Sequence, residues 1–289
     1  MWEKYYIETD RGKFEYFQKG EGKPLCVTHL YSEFNSNGNL FASAFTNHYT
    51  VYLINLRGCG NSTHDTTKYN LGMVDAVRDL EAIREALNFK DWTYAGHSTG
   101  GMLALQYAIM CPERLVKIIA GGLCASAEYM NHKNSIYCRD NNQNARLREI
   151  FAVLRDVAST IDERRAVNKE WTMMSLYNES AYDEMIARPN SGKTVSKRLD
   201  YFSYKELPTF DLRLQLENVN IPAHIYAGIY DAQCPHEFAV EVAELMPNAI
   251  MSTFEYSNHF PFIEEEEEFI KFARKHGLSC KWMTRRSII

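Results

Sequence analysis

Residues 93–108 of the chain, TYAGHSTGGMLALQYA, place a serine at the junction of two apolar segments. The first segment, Trp92–Ala95, contains aromatic and β-branched residues, which favour a strand. The second segment, Met102–Ala108, has apolar residues at helical spacing, which favours a buried helix. Three glycines surround Ser98. The sequence therefore predicts a tight strand-to-helix turn with Ser98 at its corner.

Two interpretations of this serine are open on these residues alone. Serine is a good helix N-cap, because its hydroxyl oxygen accepts backbone N–H groups of the first turn. In the pattern Gly-x-Ser-x-Gly, here Gly96–Gly100, the glycines instead remove side chains that would collide and leave the serine oxygen exposed above a sheet. The backbone N–H of Thr99 then points at the same space and can stabilise an oxyanion. This second interpretation requires a base and an acid that the fold brings to Ser98.

Composition places the chain among ordinary globular proteins. Its 289 residues are enough for one large domain, or for one domain with a sizeable insertion. Apolar residues make up 45% and charged residues 24%, and the net charge of −5 disfavours a nucleic-acid partner. The first residues lack the basic start and apolar run of a secretion signal, and no apolar stretch approaches the ~20 residues of a membrane span. We therefore expect no membrane association.

The cysteines indicate a reducing compartment. There are seven, an odd number, they are scattered, and none forms a Cys-x-x-Cys pair. This distribution argues against a disulfide framework and against a zinc site. A cytoplasmic location is expected, with no metal.

Strand and helix patterns alternate along most of the chain. Strands are predicted at Tyr5–Thr9, Lys13–Phe17, Leu25–Thr28, Val51–Ile54, Val116–Ala120, Ala223–Ala227 and Ile250–Tyr256, the first two as a hairpin. Helices are predicted at Val74–Leu87, His236–Leu245 and Glu264–Lys275. Such alternation predicts an α/β fold, with a mostly parallel central sheet and helices on both faces.

The alternation is interrupted between residues 126 and 209, where no convincing buried strand appears. Helical patterns are found instead at Ala145–Ala158, Ile161–Tyr177 and Ala181–Ala187. We interpret residues 126–209 as a helical lid inserted into a core domain of residues 1–125 and 210–289. The aromatic residues and methionines of the lid favour an apolar pocket between lid and sheet. They are Tyr129, Met130, Tyr137, Phe151, Trp171, Met173, Met174, Tyr177, Tyr182, Tyr201, Phe202 and Tyr204.

Two polar residues follow predicted strands downstream of the lid. Asp231 follows the first of these strands and His259 follows the last. Ligands of open parallel sheets bind at the carboxyl ends of the strands, so both residues should lie near Ser98. An imidazole can take the serine proton, while a carboxylate fixes its tautomer and stabilises the imidazolium. We predict Ser98 as nucleophile, His259 as base and Asp231 as acid, whereas His97 is expected to turn away from the serine and pack.

With these residues in place, the chain resembles the lid-bearing α/β-hydrolase family over nearly its whole length. Residues 55–62, NLRGCGNS, resemble the family's Asp-x-Arg-Gly-x-Gly-x-Ser loop, with Asn55 in place of the aspartate. Gly228–Asp231 and Ser257–His259 resemble its Gly-x-x-Asp and Ser-Gly-His segments. The prolyl-aminopeptidase-like members look most similar at two segments, Tyr226–Pro235 and Phe210–Arg213. The resemblance implies the α/β-hydrolase fold with an inserted lid.

The resemblance also assigns an oxyanion hole. Members carry His-Gly-x-Pro after the third strand, and the residue after the glycine donates the second N–H. Here the stretch is His29-Leu30-Tyr31-Ser32, so the resemblance assigns the donors to Tyr31 and Thr99. Leu30 has a side chain where the family has none, and Ser32 lacks the fixed φ of proline. Either the loop adopts the family backbone with some strain, or the hole has a different shape.

The expected function is a cytoplasmic serine hydrolase that cleaves an ester or amide of a small, largely apolar substrate through an acyl-enzyme. Aminopeptidase-like activity is one form of this function, but the lid carboxylates with which prolyl aminopeptidases hold an amino group have no residue-by-residue match here. Carbon–carbon bond hydrolysis and perhydrolysis on the same triad are alternatives, as is a ligand-binding relative without turnover. No cofactor is implied, the partner is a small molecule, and a monomer or homodimer is expected.

Overall fold

Ten strands and eleven α-helices form within residues 1–277, which are the residues that the computed structural model describes. The strands are β1 (Glu3–Thr9), β2 (Gly12–Lys19), β3 (Lys23–Val27), β4 (Ser32–Glu33), β5 (Tyr49–Ile54), β6 (Trp92–His97), β7 (Leu115–Gly121), β8 (Lys193–Thr194), β9 (Ala223–Gly228) and β10 (Ala249–Phe254). The helices are α1 (Leu40–Ser43), α2 (Met73–Ala86), α3 (Thr99–Met110), α4 (Asn144–Arg155), α5 (Ile161–Met173), α6 (Ala181–Ala187), α7 (Ser196–Tyr201), α8 (Arg213–Leu216), α9 (His236–Leu245), α10 (Pro261–Glu264) and α11 (Glu266–Gly277). Short 3₁₀ helices cover Pro112–Arg114, Ala127–Asn131 and Leu207–Thr209, and a π-helical turn covers Phe202–Glu206.

The central sheet contains eight of these strands in the order β1-β2-β5-β3-β6-β7-β9-β10. The six strands from β5 to β10 in that order run parallel. At one edge, β1 and β2 form the predicted antiparallel hairpin, and β2 runs antiparallel to β5. The predicted α/β fold with a mostly parallel sheet is therefore confirmed.

Side chains of the central strands alternate between two apolar cores, one on each face of the sheet. In β3, Leu25 and Val27 belong to one core and Cys26 to the other. Helices α2, α3 and α9 supply side chains to the core that contains Cys26, whereas α1 and α11 supply the opposite core. Burial on both faces is why these strands are continuous apolar runs in the sequence.

Some predicted bounds and faces differ from the structure. The predicted strand Ile250–Tyr256 ends at Phe254, because the N–H of Tyr256 donates to the Glu265 carboxylate (2.9 Å) instead of to a strand neighbour. The predicted last helix, Glu264–Lys275, begins two residues later as α11, and Glu264 instead ends the separate short helix α10. Val74, the first residue predicted for its helix, is 41% exposed, since α2 turns the adjacent Met73 toward the core.

The chain between β7 and β9 is largely helical. Helices α4, α5 and α6 lie at the three predicted positions, and α6 has the predicted bounds. The sequence did not predict β8, α7 or the π-helical turn, which all lie near the end of this segment. Strand β8 pairs antiparallel with β4, outside the central sheet. The division into a lid of residues 126–209 and a core domain stays an interpretation, and residues 278–289 of that predicted domain, with Cys280, lie outside the described residues.

Candidate active site

Ser98 lies on the turn between β6 and α3 with a backbone that L-residues seldom adopt. Its φ is 57° and its ψ is −128°. A Cβ added at Gly96 would lie 2.0 Å from the carbonyl oxygen of Gly100, and one added at Gly100 would lie 2.4 Å from the carbonyl oxygen of Thr28. The glycines are therefore required by sterics, as the pentapeptide predicts. Strain of this kind persists only where the surrounding structure enforces it.

Asp231 and His259 follow β9 and β10, as predicted, and contact each other. The Nδ1 atom of His259 lies 2.9 and 3.0 Å from the two carboxylate oxygens of Asp231. Both residues are buried, with 3% and 2% of their surfaces exposed. The backbone N–H groups of Gln233 and Cys234 donate to the same carboxylate at 2.9 and 2.8 Å. A carboxylate can only accept, so the Nδ1 atom of His259 carries the hydrogen of this contact. The Nε2 atom of the neutral ring is then left as an acceptor.

Ser98 and His259 line one cavity of about 240 Å³ at the carboxyl ends of the strands. Within residues 1–277, no hydrogen bond joins the Ser98 hydroxyl to the imidazole. Catalytic hydrogen bonds of this type often tighten only when substrate is bound. The structure thus brings Asp231 and His259 into contact and places Ser98 in the same cavity as His259.

The side chains that line this cavity are uncharged, apart from histidines when they are protonated. No Asp, Glu, Lys or Arg of the described chain lines it. Apolar side chains come mainly from Phe34, Leu40, Phe41, Phe260, Phe262 and Ile263. Of the twelve lid aromatics and methionines that the sequence singles out, only Trp171 lines the cavity. Its indole nitrogen is buried and has no hydrogen-bond partner within residues 1–277.

His29 connects the two segments that carry the candidate oxyanion donors. Its Nε2 lies 3.1 Å from the Thr99 hydroxyl and its Nδ1 lies 2.9 Å from the Ser32 hydroxyl. Burial, together with the neighbouring His259 and Arg198, lowers the pKa of His29 to about 3. His29 is therefore neutral at physiological pH and can donate at one nitrogen while accepting at the other.

The candidate donors themselves have weak or no competing acceptors. Thr99 is the first residue of α3, and the first N–H groups of a helix have no intrahelical acceptor. The N–H of Tyr31 makes one long contact, 3.4 Å, with His29 Nδ1. Neither N–H makes a short hydrogen bond within the described residues; Tyr31 lines the same cavity as Ser98, whereas Thr99 is buried behind that lining.

Leu30 does not adopt a left-handed backbone conformation. Within the described part of the chain, the only non-glycine residues with positive φ are Asn88 and Ser98. The Leu30 side chain is 0% exposed and packs in the core that contains α2 and α3. The loop therefore accommodates the Leu30 side chain without a left-handed φ, and the shape of the oxyanion hole stays a prediction.

His97 packs as the sequence predicts, but it packs against the candidate base. Its ring centroid is 4.5 Å from that of His259, and its Nδ1 lies 3.0 Å from the Tyr226 hydroxyl. Burial, with a further contribution from His259, lowers the pKa of His97 well below its usual value. A neutral ring at this position avoids a second positive charge beside an imidazolium.

Asn55, which replaces an aspartate of the family pattern, is explained by its buried neighbour Glu15. The Asn55 amide nitrogen donates to the Glu15 carboxylate (2.8 Å) and to the Phe34 carbonyl (3.0 Å). Its oxygen accepts from the Phe34 N–H at 2.7 Å. An aspartate here would turn an acceptor toward two other acceptors. The departure therefore preserves the loop instead of disrupting it.

Sequence reasoning missed the contacts that hold the candidate base. The N–H of His259 donates to the carbonyl of Ser175 (3.1 Å), and the amide oxygen of Asn258 accepts from the N–H of Ala232 (2.8 Å). Asn258 could have been considered because it precedes the histidine. Nothing in the sequence singled out Ser175, which lies in the loop after α5.

Residues 1–277 contain no group of three or more His, Cys, Asp and Glu side chains that could hold a metal ion. None of the helices in this range has the length and apolar character that crossing a membrane requires.

Comparison with known proteins identifies the fold family. The model of the family described as alpha/beta hydrolase fold matches residues 28–266. The chain belongs to the α/β hydrolase fold family. An alpha/beta fold family hydrolase from Bacillus anthracis str. Sterne, a solved structure, is 52% identical with a TM-score of 0.94, covering 96% of this chain and 100% of that one.

Curated relatives of this α/β hydrolase differ in their activities. The proline iminopeptidase of Heyndrickxia coagulans is 25% identical, covering 93% of this chain and 96% of the relative. The pimeloyl-[acyl-carrier protein] methyl ester esterase of Aliivibrio fischeri (strain MJ11) is also 25% identical, covering 89% and 94%. The predicted resemblance to prolyl-aminopeptidase-like hydrolases is confirmed, and a hydrolytic role is supported. The substrate has to be argued from this chain's own site.

Proposed function

We propose that this α/β hydrolase is a serine hydrolase that cleaves neutral esters with a small, largely apolar acyl group. The observation that carries the proposal is the shared cavity. Ser98, on its strained turn, lines it together with His259, and the Nδ1 of His259 is hydrogen-bonded to the buried Asp231. A nucleophile, a base and an orienting carboxylate are the groups that acyl transfer requires.

In the proposed reaction, the Ser98 oxygen attacks the ester carbonyl carbon while its proton passes to Nε2 of His259. Asp231 accepts from Nδ1–H and stabilises the imidazolium that forms. The carbonyl oxygen takes the negative charge and is held by the N–H groups of Tyr31 and Thr99. When the intermediate collapses, the ester C–O bond breaks and the alcohol leaves with the proton from His259. A water molecule then repeats these steps on the acyl-enzyme and releases the acid.

The neutral lining of the cavity supports an ester with an uncharged acyl group over a substrate with a free amine. An ammonium group that loses its water needs a carboxylate or several oxygen acceptors as compensation. No carboxylate of residues 1–277 lines the cavity. The small-molecule substrate, the cytoplasmic location and the monomeric or homodimeric state stay predictions from the sequence.

A fluorophosphonate probe tests the nucleophile. We expect it to label the wild type and Ser191→Ala, because Ser191 lines the cavity on an ordinary loop, but not Ser98→Ala. Circular dichroism should show both variants folded. Equal labelling of Ser98→Ala and the wild type would contradict the assignment.

A matched pair of esters tests the substrate class. Methyl cyclopentanecarboxylate and proline methyl ester have rings of similar size, but only the second carries an amine. We expect kcat/KM to favour the neutral ester by tenfold or more. A preference for the proline ester would contradict the neutral-substrate proposal, and labelled but inactive protein would favour the ligand-binding alternative.

A further inference from the structure

We propose that Arg198 in helix α7 is a positioning residue that holds the Leu30–Tyr31 peptide so that the Tyr31 N–H can face the oxyanion. The inference rests on the proposed serine hydrolase function. It assigns to the segment between β7 and β9 a part in forming the oxyanion hole, through one buried side chain. No pattern in the sequence marked Arg198.

The contact that carries the inference joins Arg198 to the loop that begins at His29. The Nε–H of Arg198 donates to the carbonyl oxygen of Leu30, and its Nη1–H donates to the carbonyl of Arg57 at 2.7 Å. The carbonyl of Leu30 and the N–H of Tyr31 belong to the same planar trans peptide, and they point in opposite directions. Holding the carbonyl oxygen therefore determines where the N–H points.

The next peptide of the loop is held from the same side. The N–H of Val195 donates to the carbonyl of Tyr31 at 2.8 Å. Just before Val195, strand β8 pairs with β4, with Thr194 opposite Ser32. The segment 193–198 thus binds the carbonyls on both sides of Tyr31, and the N–H between them keeps only its long contact with His29.

Burying the Arg198 guanidinium costs folding free energy, so a contribution to stability does not by itself explain this residue. It is 2% exposed, and within residues 1–277 it has no carboxylate at salt-bridge distance and its Nη2 has no hydrogen-bond partner. Burial lowers the pKa of its guanidinium, partly offset by nearby acidic groups such as Asp79 and Glu206. A buried charge without a close partner is costly, so a shorter apolar residue would serve packing better. The two carbonyls that it binds supply the reason for a guanidinium here.

The test compares Arg198→Met and Arg198→Lys with Arg188→Met. Arg188 serves as the control because it too lies between β7 and β9 and forms an ion pair with a residue of another element, Glu266 of α11 (2.6 Å). Within the described residues it makes no hydrogen bond or ion pair with the loop of residues 29–32. For each folded variant, kcat and KM are measured on p-nitrophenyl butyrate. The inhibition constant of a butyl trifluoromethyl ketone, which forms a tetrahedral oxyanion adduct with the serine, is measured in parallel.

We expect Arg198→Met to lower kcat about 100-fold with KM changed less than threefold, as for the loss of one oxyanion donor. The ketone should bind more weakly by a similar factor, and Arg198→Lys should lose at least tenfold in both. Arg188→Met should stay within threefold of the wild type. If Arg198 had a packing role alone, Arg198→Met would lower the melting temperature without lowering kcat and ketone affinity by similar factors.

Two outcomes are distinguishable from each other. If the wild type hydrolyses the ester but a folded Arg198 variant keeps kcat and ketone affinity within threefold of it, the inference about Arg198 is wrong. If the wild type itself neither hydrolyses the ester nor reacts with the fluorophosphonate, the proposed function is wrong, and the inference is wrong with it.

Discussion

Leu30 and Asn55 are two of the residues at which this chain departs from its family pattern close to the site, and the contacts of each explain the departure. Leu30 replaces a glycine without requiring a positive φ, and its side chain fills a place in the core. The Asn55 amide donates a hydrogen bond to the Glu15 carboxylate, which an aspartate could not do. Comparison with the family motif alone counts both positions as mismatches. Their contacts show that neighbouring residues accommodate each of the two substitutions.

We expect Leu30→Gly to lower both stability and turnover, although it restores the family residue. Removing a buried leucine side chain costs about 2–5 kcal/mol of unfolding free energy. Glycine adds about 0.5–1 kcal/mol through its extra backbone freedom. Urea denaturation and kcat on one activated ester measure the two effects, with Leu30→Ala as the control for cavity formation. A tenfold gain in turnover by Leu30→Gly would show that the wild-type oxyanion loop is badly shaped.

At the scale of elements, the turn between β6 and α3 is the part of the candidate site that local sterics restrict most strongly. Gly100 belongs to α3, yet its Cα faces the carbonyl of Thr28. Thr28 directly precedes the loop of residues 29–32, which carries the candidate donor Tyr31. The helix can approach that loop closely only because a side chain is missing. The turn therefore sets both the exposure of Ser98 and the distance between the two candidate oxyanion donors.

Gly100→Ala should damage the site more than Gly101→Ala, although alanine is the better helix former at both positions. The propensity gain is about 1 kcal/mol, and overpacking against fixed backbone costs about 1–3 kcal/mol. The new Cβ would lie 2.4 Å from a backbone oxygen at Gly100, but 3.0 Å from a leucine methyl group at Gly101. We expect kcat to fall at least tenfold more in Gly100→Ala. Melting temperatures and ester turnover of the two variants check the order, and a reversed order would refute it.

At the scale of the whole molecule, four strand ends contribute to the candidate site. Residues after three of them line one cavity, and Asp231 reaches it through His259. Ser98 follows β6, Asp231 follows β9, His259 follows β10, and Tyr31 follows β3. Two further histidines, His29 and His97, are half-buried and line the same cavity. Their charge states connect the chemistry of the site to the stability of the fold.

We expect the free energy of unfolding to fall as pH drops below about 6.5, partly through His29. Burial first, then His259 and Arg198, lowers its pKa to about 3. Between that value and the unfolded pKa of about 6.5, only the unfolded chain binds the proton, so stability decreases by up to about 1.4 kcal/mol per pH unit. His97 acts in the same direction.

The measurement is urea denaturation of the wild type and His29→Gln from pH 7.5 to 4.5. Burial raises the pKa values of Glu206 and Glu264, and these groups act in the opposite direction near the acid end. The difference between the two proteins isolates His29, and the variant should lose less stability on acidification. Parallel pH dependences in both proteins would mean that His29 titrates normally in the folded state.

The sequence by itself determined the eight strands of the central sheet, the principal helices and the turn that carries Ser98. Strands buried on both faces must be apolar throughout, and a strand-to-helix turn with positive φ must be flanked by glycines. These are restrictions on a few consecutive residues, so they can be recognised in one chain. The places of Asp231 and His259 followed from the rule that parallel strands end at one edge of the sheet.

Only the tertiary structure decided how the site is held together and what lines it. Arg198 binds the carbonyl of Leu30, His259 donates to Ser175, and a single residue of the predicted aromatic set, Trp171, reaches the cavity. Each of these contacts joins parts of the chain that are far apart, and no periodic pattern relates one partner to the other. Backbone carbonyls in particular are the same at every residue, so their partners depend on where whole elements pack and not on local preference.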